Sequence, residues 1–327
     1  MNLRYAARCT VRSFSVLFVA IVVNFTLPRL APGSAIDYLL PPEQAVSLSP
    51  AQRLVVIRQF GLDQSLPKQF IRYVVRLAHG DLLLSVRYAR PVRSLLAERL
   101  PWTFLLVGTS LGVALFVGAL LGFGSAWKRG SARDLVSMVV VVLVDSLPVF
   151  FVGMMLLFVF SVKLGWLPLF GGIQFGGHAS GFAAIGGVLQ RLLLPSCTLV
   201  LAQIGSVYLA ARSAMVGELR EDYVSFAVAK GLTPRVVRAH ARRNSLLPVV
   251  TIGLVSLGTL VGGATVVETV FSYPGVGRLV YDSVLARDYP VIQGAFFVLA
   301  VTVILANLAA DLITPVVDRR TMLRTDA

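Results

Sequence analysis

The sequence predicts an all-α membrane protein: six transmembrane helices, with a helical extracytoplasmic segment between the first and second. Three observations predict it. The 327 residues are 56% hydrophobic and only 14% charged, whereas soluble globular chains run near half apolar and a quarter charged. The apolar residues clump into runs that approach or exceed the ~20 residues needed to cross hydrocarbon as a helix. Lys and Arg fall between those runs, in segments that alternate between rich and poor.

The first apolar run, Ser13 to Leu30, follows Arg4, Arg8 and Arg12 and so resembles a signal peptide. It is long for a signal core, no Ala-x-Ala cleavage pattern follows it, and further spans come after. We read it as an uncleaved first span. The others are Trp102 to Trp127, Asp134 to Ser161, Leu192 to Ala211, Leu247 to Phe271 and Pro290 to Val316. Residues 1–31 then hold the N-terminus and first span, 32–101 an outer segment, 102–316 the transmembrane core and 317–327 a tail.

Orientation follows from the basic residues of short loops. One set of segments carries Arg4, Arg8, Arg12, Lys128, Arg129, Arg133, Arg212, Arg220, Lys230, Arg235, Arg238, Arg242, Arg243, Arg319, Arg320 and Arg324. The opposite short segments carry only Lys163, Arg191, Arg278 and Arg287. The first set is expected in the cytoplasm, with both termini. The outer segment is long, and long loops translocate largely regardless of charge.

That outer segment has helix signals. Ser49 is placed to cap a helix with Pro50 at its first position and Gly61 past its end. A second helix fits Pro67 to His79, stopped by Gly80. Its Phe70, Ile71, Val74, Val75 and Ala78 recur at helical spacing, with Lys68, Arg72 and Arg76 elsewhere on the surface. A third, Pro91 to Leu100, with Val92, Leu95, Leu96 and Arg99, is expected to lie along the membrane surface. These helices either cap the outer mouth or dock a substrate-delivery protein. The Gly-rich loop from Lys163 to Gln190 reads as irregular.

Several function classes fall away. The net charge of +14 could suit nucleic acid, but these charges track membrane topology rather than a soluble face. Cys9 and Cys197 give no disulfide framework or metal spacing, and His79, His178 and His240 stand alone. No Gly-x-x-x-x-Gly-Lys-Ser/Thr phosphate loop occurs. Nor does a Ser/His pair, a di-Asp arrangement or a His/Glu metal motif that would mark a membrane-embedded enzyme. An ion-coupled secondary transporter would need midplane carboxylates and usually inverted repeats. No repeat is evident.

The most informative stretch is the cytoplasmic segment of about residues 212–247. It contains Glu221-Asp222-Tyr223-Val224-Ser225-Phe226-Ala227-Val228-Ala229-Lys230-Gly231-Leu232, then His240-Ala241-Arg242-Arg243-Asn244 and Leu246-Leu247-Pro248. Gly231 can end one helix and Pro234 can start the next. A short helix, a sharp turn and a basic helix leading into the fifth span would result. Such an element either projects into a partner's groove or is a basic loop that only fixes topology.

This segment resembles the coupling loop of ABC-importer permeases, in the version of the peptide branch. The matching residues are Asp222-Tyr223-Val224, Ala227, Ala229-Lys230-Gly231-Leu232, His240-Ala241, Asn244 and Pro248. Ser225 stands where the wider importer pattern has Glu, and the spacing from Gly231 to Pro248 is longer; both are usual for the peptide branch. Shorter pieces agree in order: Arg29-Leu30-Ala31-Pro32-Gly33, Gly61-Leu62-Asp63, His79-Gly80-Asp81, Arg99-Leu100-Pro101, Thr103 and Leu164-Gly165-Trp166-Leu167-Pro168. They continue with Glu268 through Leu279, Arg287-Asp288-Tyr289-Pro290, Asn307 and Asp311. The end departs, with Asp318-Arg319-Arg320 where the family often has Asp-Pro-Arg.

The resemblance is to the first permease of dipeptide and oligopeptide importers, and it implies the type I importer permease fold in the inner membrane. It implies a second homologous permease, two ATP-binding subunits, an extracytoplasmic substrate-binding protein and surrounding lipid, with no cofactor in this chain and ATP with Mg on the partner ATPases. Contact with the ATPase would fall to Asp222, Tyr223, Ala227, Ala229, Lys230, Gly231, Leu232 and His240. Relatives of this branch carry nickel, glutathione or other small solutes, so the cargo stays open.

Charge within a span needs a reason, because it costs about 2.5–3.5 kcal/mol on insertion scales. Asp145, ahead of Pro148, is the candidate for lining a translocation path, because the proline frees a carbonyl and can kink the span. Glu268 and Asp311 are expected to pair within the bundle or lie near an interface. Gly253, Gly258, Gly262 and Gly263 make the fifth span small on one side, which suits packing against a partner permease.

Overall fold

The computed structural model describes residues 3–30, 49, 51–52, 58, 63–169 and 182–317. Ser49 and Gln52 bond reciprocally, Gln52 N donating to Ser49 Oγ (3.3 Å) and Ser49 N to Gln52 Oε1 (2.9 Å), a capping box. The body of the helix expected there, its Gly61 stop, His178 and the tail from Asp318 lie outside the described residues.

Among the described residues the chain is helical and forms no strand; an isolated bridge pairs Leu84 with Pro91. The helices are α1 (Leu3–Leu30), α2 (Leu66–Ala78), α3 (Val92–Trp127), α4 (Ala132–Asp145) and α5 (Val149–Leu157), which runs on as a π-helical turn (Phe158–Lys163). After them come α6 (Phe182–Glu218), α7 (Asp222–Ala229), α8 (Pro234–Val270), α9 (Val276–Leu285) and α10 (Tyr289–Val317). Hydrocarbon offers no partner for free N–H and C=O groups, so continuous helices are the expected solution.

Four helices are long and apolar enough to cross a bilayer singly: Tyr5–Leu27, Val92–Trp127, Gly186–Glu218 and Tyr289–Leu312. Two bent pairs qualify if each is one span, Ala132–Asp145 with Val149–Lys163 at 95° and Pro234–Gly258 with Leu260–Val270 at 56°. The first break falls at Ser146-Leu147-Pro148, where Pro148 takes the N-cap position of α5.

Two expectations are corrected. Pro91 to Leu100 is not a separate surface helix but the first turns of α3, which runs through Pro101. Packing overrides the proline: Val92, Leu95 and Leu96 are buried among Val276, Leu279, Val280, Val291 and Ala295, and Thr103 Oγ1 accepts from Val276 N at 2.9 Å. The loop to Gln190 is likewise not irregular throughout, because α6 begins at Phe182. Glycines at Gly186 and Gly187 masked that helical start, yet each has open space around its Cα.

The chain divides into two compact units. One is Arg4–Thr103 with Pro274–Leu305, and its core is the cluster just named. There Asp288 is fully buried. It accepts from the Ser85 hydroxyl, from Arg87 N at 3.1 Å and from Val86 N at 3.3 Å. This network ties the turn after α2 to the turn before α10.

The other unit is Phe104–Tyr273, with Met1–Leu3 and Ala306–Ala327. Its core joins Ala119, Phe123 and Ala126 of α3, Val207, Ala211 and Met215 of α6, and Ala241 and Val249 of α8. Glycines bring α3 and α6 close. A Cβ on Gly118 would lie 2.8 Å from Val207, and one on Gly122 would lie 2.6 Å from the Tyr208 carbonyl oxygen. Gly253 of the small-sided helix serves packing within the chain, since a Cβ there would sit 2.8 Å from Leu115. Gly262 meets nothing within 4 Å.

Gly122→Ala should therefore destabilise the protein by about 1–3 kcal/mol, because the clash is with backbone. Gly124→Ala, with nothing within 4 Å of its added carbon, should leave the thermal midpoint of the purified protein unchanged or raised. Equal midpoints for the two variants would contradict this packing.

Candidate functional site

The element around Gly231 is built from the end of α6, all of α7 and the start of α8. The chain turns at Leu219–Glu221 and re-enters helix at Asp222. Leu232 N donates to Ala227 O (3.2 Å) and Gly231 N to Val228 O (2.9 Å). These two bonds form a Schellman cap, which needs a left-handed residue after the helix. Gly231 supplies it at φ +76°, where a side chain would be strained. Thr233 is then the extended N-cap residue of α8 and Pro234 opens the helix.

Side-chain contacts tie the element to its neighbours. The Tyr223 hydroxyl donates to Glu218 Oε2 at 2.6 Å, and Asn244 Nδ2 donates to the same oxygen at 3.3 Å. One carboxylate at the end of α6 thus holds both α7 and α8. Burial, then the bond to the Glu218 carboxylate, raises the Tyr223 pKa above its usual value, which keeps the hydroxyl a donor. Val224 and Val237 are buried. Arg238 places its guanidinium 4.4 Å from the Trp127 ring, fixing the start of α8 to the end of α3.

On the opposite side, apolar side chains stay largely exposed among the described residues. Phe226 is 61% exposed, Val228 60% and Leu232 42%, and the Lys230 ammonium lies 4.4 Å over the Phe226 ring. Asp222, Ala229, Gly231 and His240 are exposed, whereas Tyr223 and Ala227 are half-buried. Of the eight residues expected to contact an ATPase, seven, from Asp222 to Leu232, lie on α7 and its capping turn, and His240 lies two turns into α8. Glu218 and Asn244 as a joint anchor were not foreseen; their proximity depends on the turn closing.

Beneath the element lies an ion pair that sequence reasoning also missed. Arg212 of α6 grips Asp134 of α4 with two bonds of 2.8 Å. Asp134 is buried; it also accepts from the Ser125 hydroxyl and from Gly130 N at 3.1 Å. Ser125 in turn shares a 2.7 Å bond with the fully buried Tyr208 hydroxyl. Arg212 had read as a topology charge and Asp134 as a span boundary. Only the fold brings them together.

Among the spans, the exposed Asp145 carboxyl lies against α6 at Gly205, where an added Cβ would overlap it. On that same stretch, Gln203 Nε2 donates to Ser256 Oγ of α8 at 2.6 Å and to Ser206 Oγ at 3.0 Å. Glu268 is fully buried and Asp311 half-buried.

The profile of a protein family described as the binding-protein-dependent transport system inner membrane component matches residues 114–323. The chain belongs to this family of ABC-importer permeases. Its relatives span it almost end to end. A Brucella ovis protein named as a peptide permease is 36% identical over 320 residues, 97% of this chain and 98% of that one. The glutathione transport system permease protein GsiC of Escherichia coli K12 is 37% identical over 313 residues, 95% and 96% of the two chains. The permease is therefore a multi-pass inner-membrane transport subunit of an importer that works with ATPase and substrate-binding partners. The family match takes in α7, the Gly231 turn and the ion pair.

Removing the Asp134 carboxylate strands the half-buried Arg212 guanidinium, 22% exposed, at a cost below the roughly 3–5 kcal/mol typical of a fully buried pair. Asp134→Asn should sharply lower the amount of folded permease recovered in detergent. Arg90→Gln should not, because the Arg90–Glu98 pair is half-exposed and surface pairs are worth about 0–1 kcal/mol. Equal recovery of both variants would contradict the ranking.

Proposed function

We propose that this permease forms one half of a translocation path for short peptides, and that α7 with its Gly231 turn is the handle through which separate ATPase subunits drive it. The observation that carries the reading is the short capped helix itself. It is anchored on one side by Glu218, Tyr223 and Asn244 and shows Phe226, Val228 and Leu232 on the other. Helix-in-groove docking needs such a rigid piece with unpaired apolar side chains. Rigidity at the cap lets a push on α7 reach α8 and α6 rather than dissipate in a loose loop.

In this reading both termini face the cytoplasm, and a second homologous permease completes the path. ATP and Mg belong to the ATPase subunits. Nucleotide binding shifts the inward- and outward-open states only through its different affinity for the two. The names of the relatives support a peptide cargo: one is called a peptide permease, and glutathione, carried by the other, is itself a tripeptide. Asp145, exposed at the break beside Pro148, is the side chain we assign to the path. Its carboxylate would meet the α-amino group of a passing peptide.

Gly231→Val forces a β-branched residue to φ +76°, at a cost of about 1–3 kcal/mol. Peptide uptake by the assembled importer should fall roughly 5- to 100-fold, and Ala229→Asp should weaken co-purification of the ATPase subunits. Normal assembly and uptake in both variants would overturn the coupling role. Asp145→Asn should leave assembly intact and reduce peptide uptake; undiminished uptake would remove Asp145 from the path.

A further inference from the structure

α2 (Leu66–Ala78) is helical without a single buried residue. Its outward face therefore needs an explanation. One side packs on the outer end of α1. Phe25 meets Phe70 edge-on at 5.2 Å and Tyr73 at 5.6 Å. Asn24 Nδ2 donates to the Tyr73 hydroxyl at 3.0 Å and to Gln293 O, in the first turns of α10, at 2.9 Å. Arg29 donates to Gln69 Oε1 at 3.0 Å.

These contacts set a depth. Asn24 and Phe25 precede the end of α1 at Leu30 by about 8–9 Å at ~1.5 Å per residue. Helices that lie in a membrane interface bury their apolar face by about 5–10 Å. α2 thus sits at headgroup level, beside a helix apolar enough to span the bilayer.

Its remaining surface matches that level. At about 100° per residue, Ile71 and Val75 form the far edge of the apolar arc, roughly opposite the α1-facing side, and they are 62% and 50% exposed. Next to this edge runs a stripe of Lys68, Arg72 and Arg76, and the helix carries no acidic residue. A protein partner would need acidic groups around a narrow apolar strip. A bilayer containing anionic lipid supplies both layers at the right depth.

We propose that α2 is an interfacial helix, its Ile71–Val75 edge immersed in the outer leaflet and Lys68, Arg72 and Arg76 engaging anionic phospholipid headgroups. The assignment of leaflet rests on the topology in the proposed function; the immersion does not. It also moves the role of membrane-surface helix from Pro91–Leu100, which is built into a protein core, to α2.

The test uses the assembled importer in nanodiscs of phosphatidylethanolamine and phosphatidylglycerol, with Cys9 and Cys197 replaced by Ala. Ile71→Cys and Val75→Cys, each carrying an NBD label, should emit blue-shifted light. Shallow nitroxide lipids should quench them more than aqueous iodide does, and the reverse should hold for His79→Cys. Nitroxide on phosphatidylglycerol should quench better than the same group on phosphatidylcholine. That preference should fall roughly fivefold for each of Lys68→Gln and Arg72→Gln.

Free iodide access at 71 and 75 would overturn the immersion. Shielding that appears only when the substrate-binding protein is added would assign the face to that protein instead. An unchanged lipid preference in the charge variants would overturn the headgroup contact. In spheroplasts, His79→Cys should react with an impermeant maleimide added outside. Reaction only after permeabilisation would overturn the leaflet and the topology, while the depth measurement would stand.

Discussion

The constraint on which this permease depends is the reversal at Gly231. A chain that leaves the bilayer through α6 and returns through α8 must turn without loose backbone if force is to pass along it. The Schellman cap does this with two backbone bonds and one left-handed residue. Glycine adopts that conformation without strain. Everything around the turn reinforces it: Glu218 holds α7 and α8 to the same carboxylate, and Arg238 on Trp127 holds α8 to α3. The Arg212–Asp134 pair then locks α6 to α4 beneath.

That arrangement distributes rigidity unevenly. The region beside the α6–α8 turn has a largely buried ion pair and glycine-mediated close packing of α3 on α6. Elsewhere the elements are broken: α4 and α5 meet at 95° at Pro148. Stiff levers joined to bent spans suit two discrete arrangements of packed elements, which is how small displacements become large ones.

Much of this was legible in the sequence, and for identifiable reasons. Hydrophobic run length pointed to the long apolar helices, because hydrocarbon imposes a length rule directly on composition. The Gly231-Pro234 punctuation located the turn, because left-handed backbone and a fixed φ are local demands. The motif around Asp222 to Leu232 then carried the family. What stayed hidden depended on tertiary packing. Pro101 lies inside α3 because Val92, Leu95 and Leu96 are held by residues near 280–295. Asp134 and Arg212, like Glu218 and Asn244, are distant in sequence and signal nothing until the helices assemble. Gly186 and Gly187 read as loop, yet α6 runs through them.

The central claim is that motion in this permease is driven from outside, through one capped helix. Reconstitution in sealed vesicles tests it most directly, with peptide uptake followed in the presence and absence of the ATPase subunits and after collapse of ion gradients. The account predicts uptake only with the ATPases and ATP, undiminished when the gradients are gone. Accumulation of peptide by the permease without any nucleotide-hydrolysing companion, or uptake abolished by loss of the gradients alone, would contradict it.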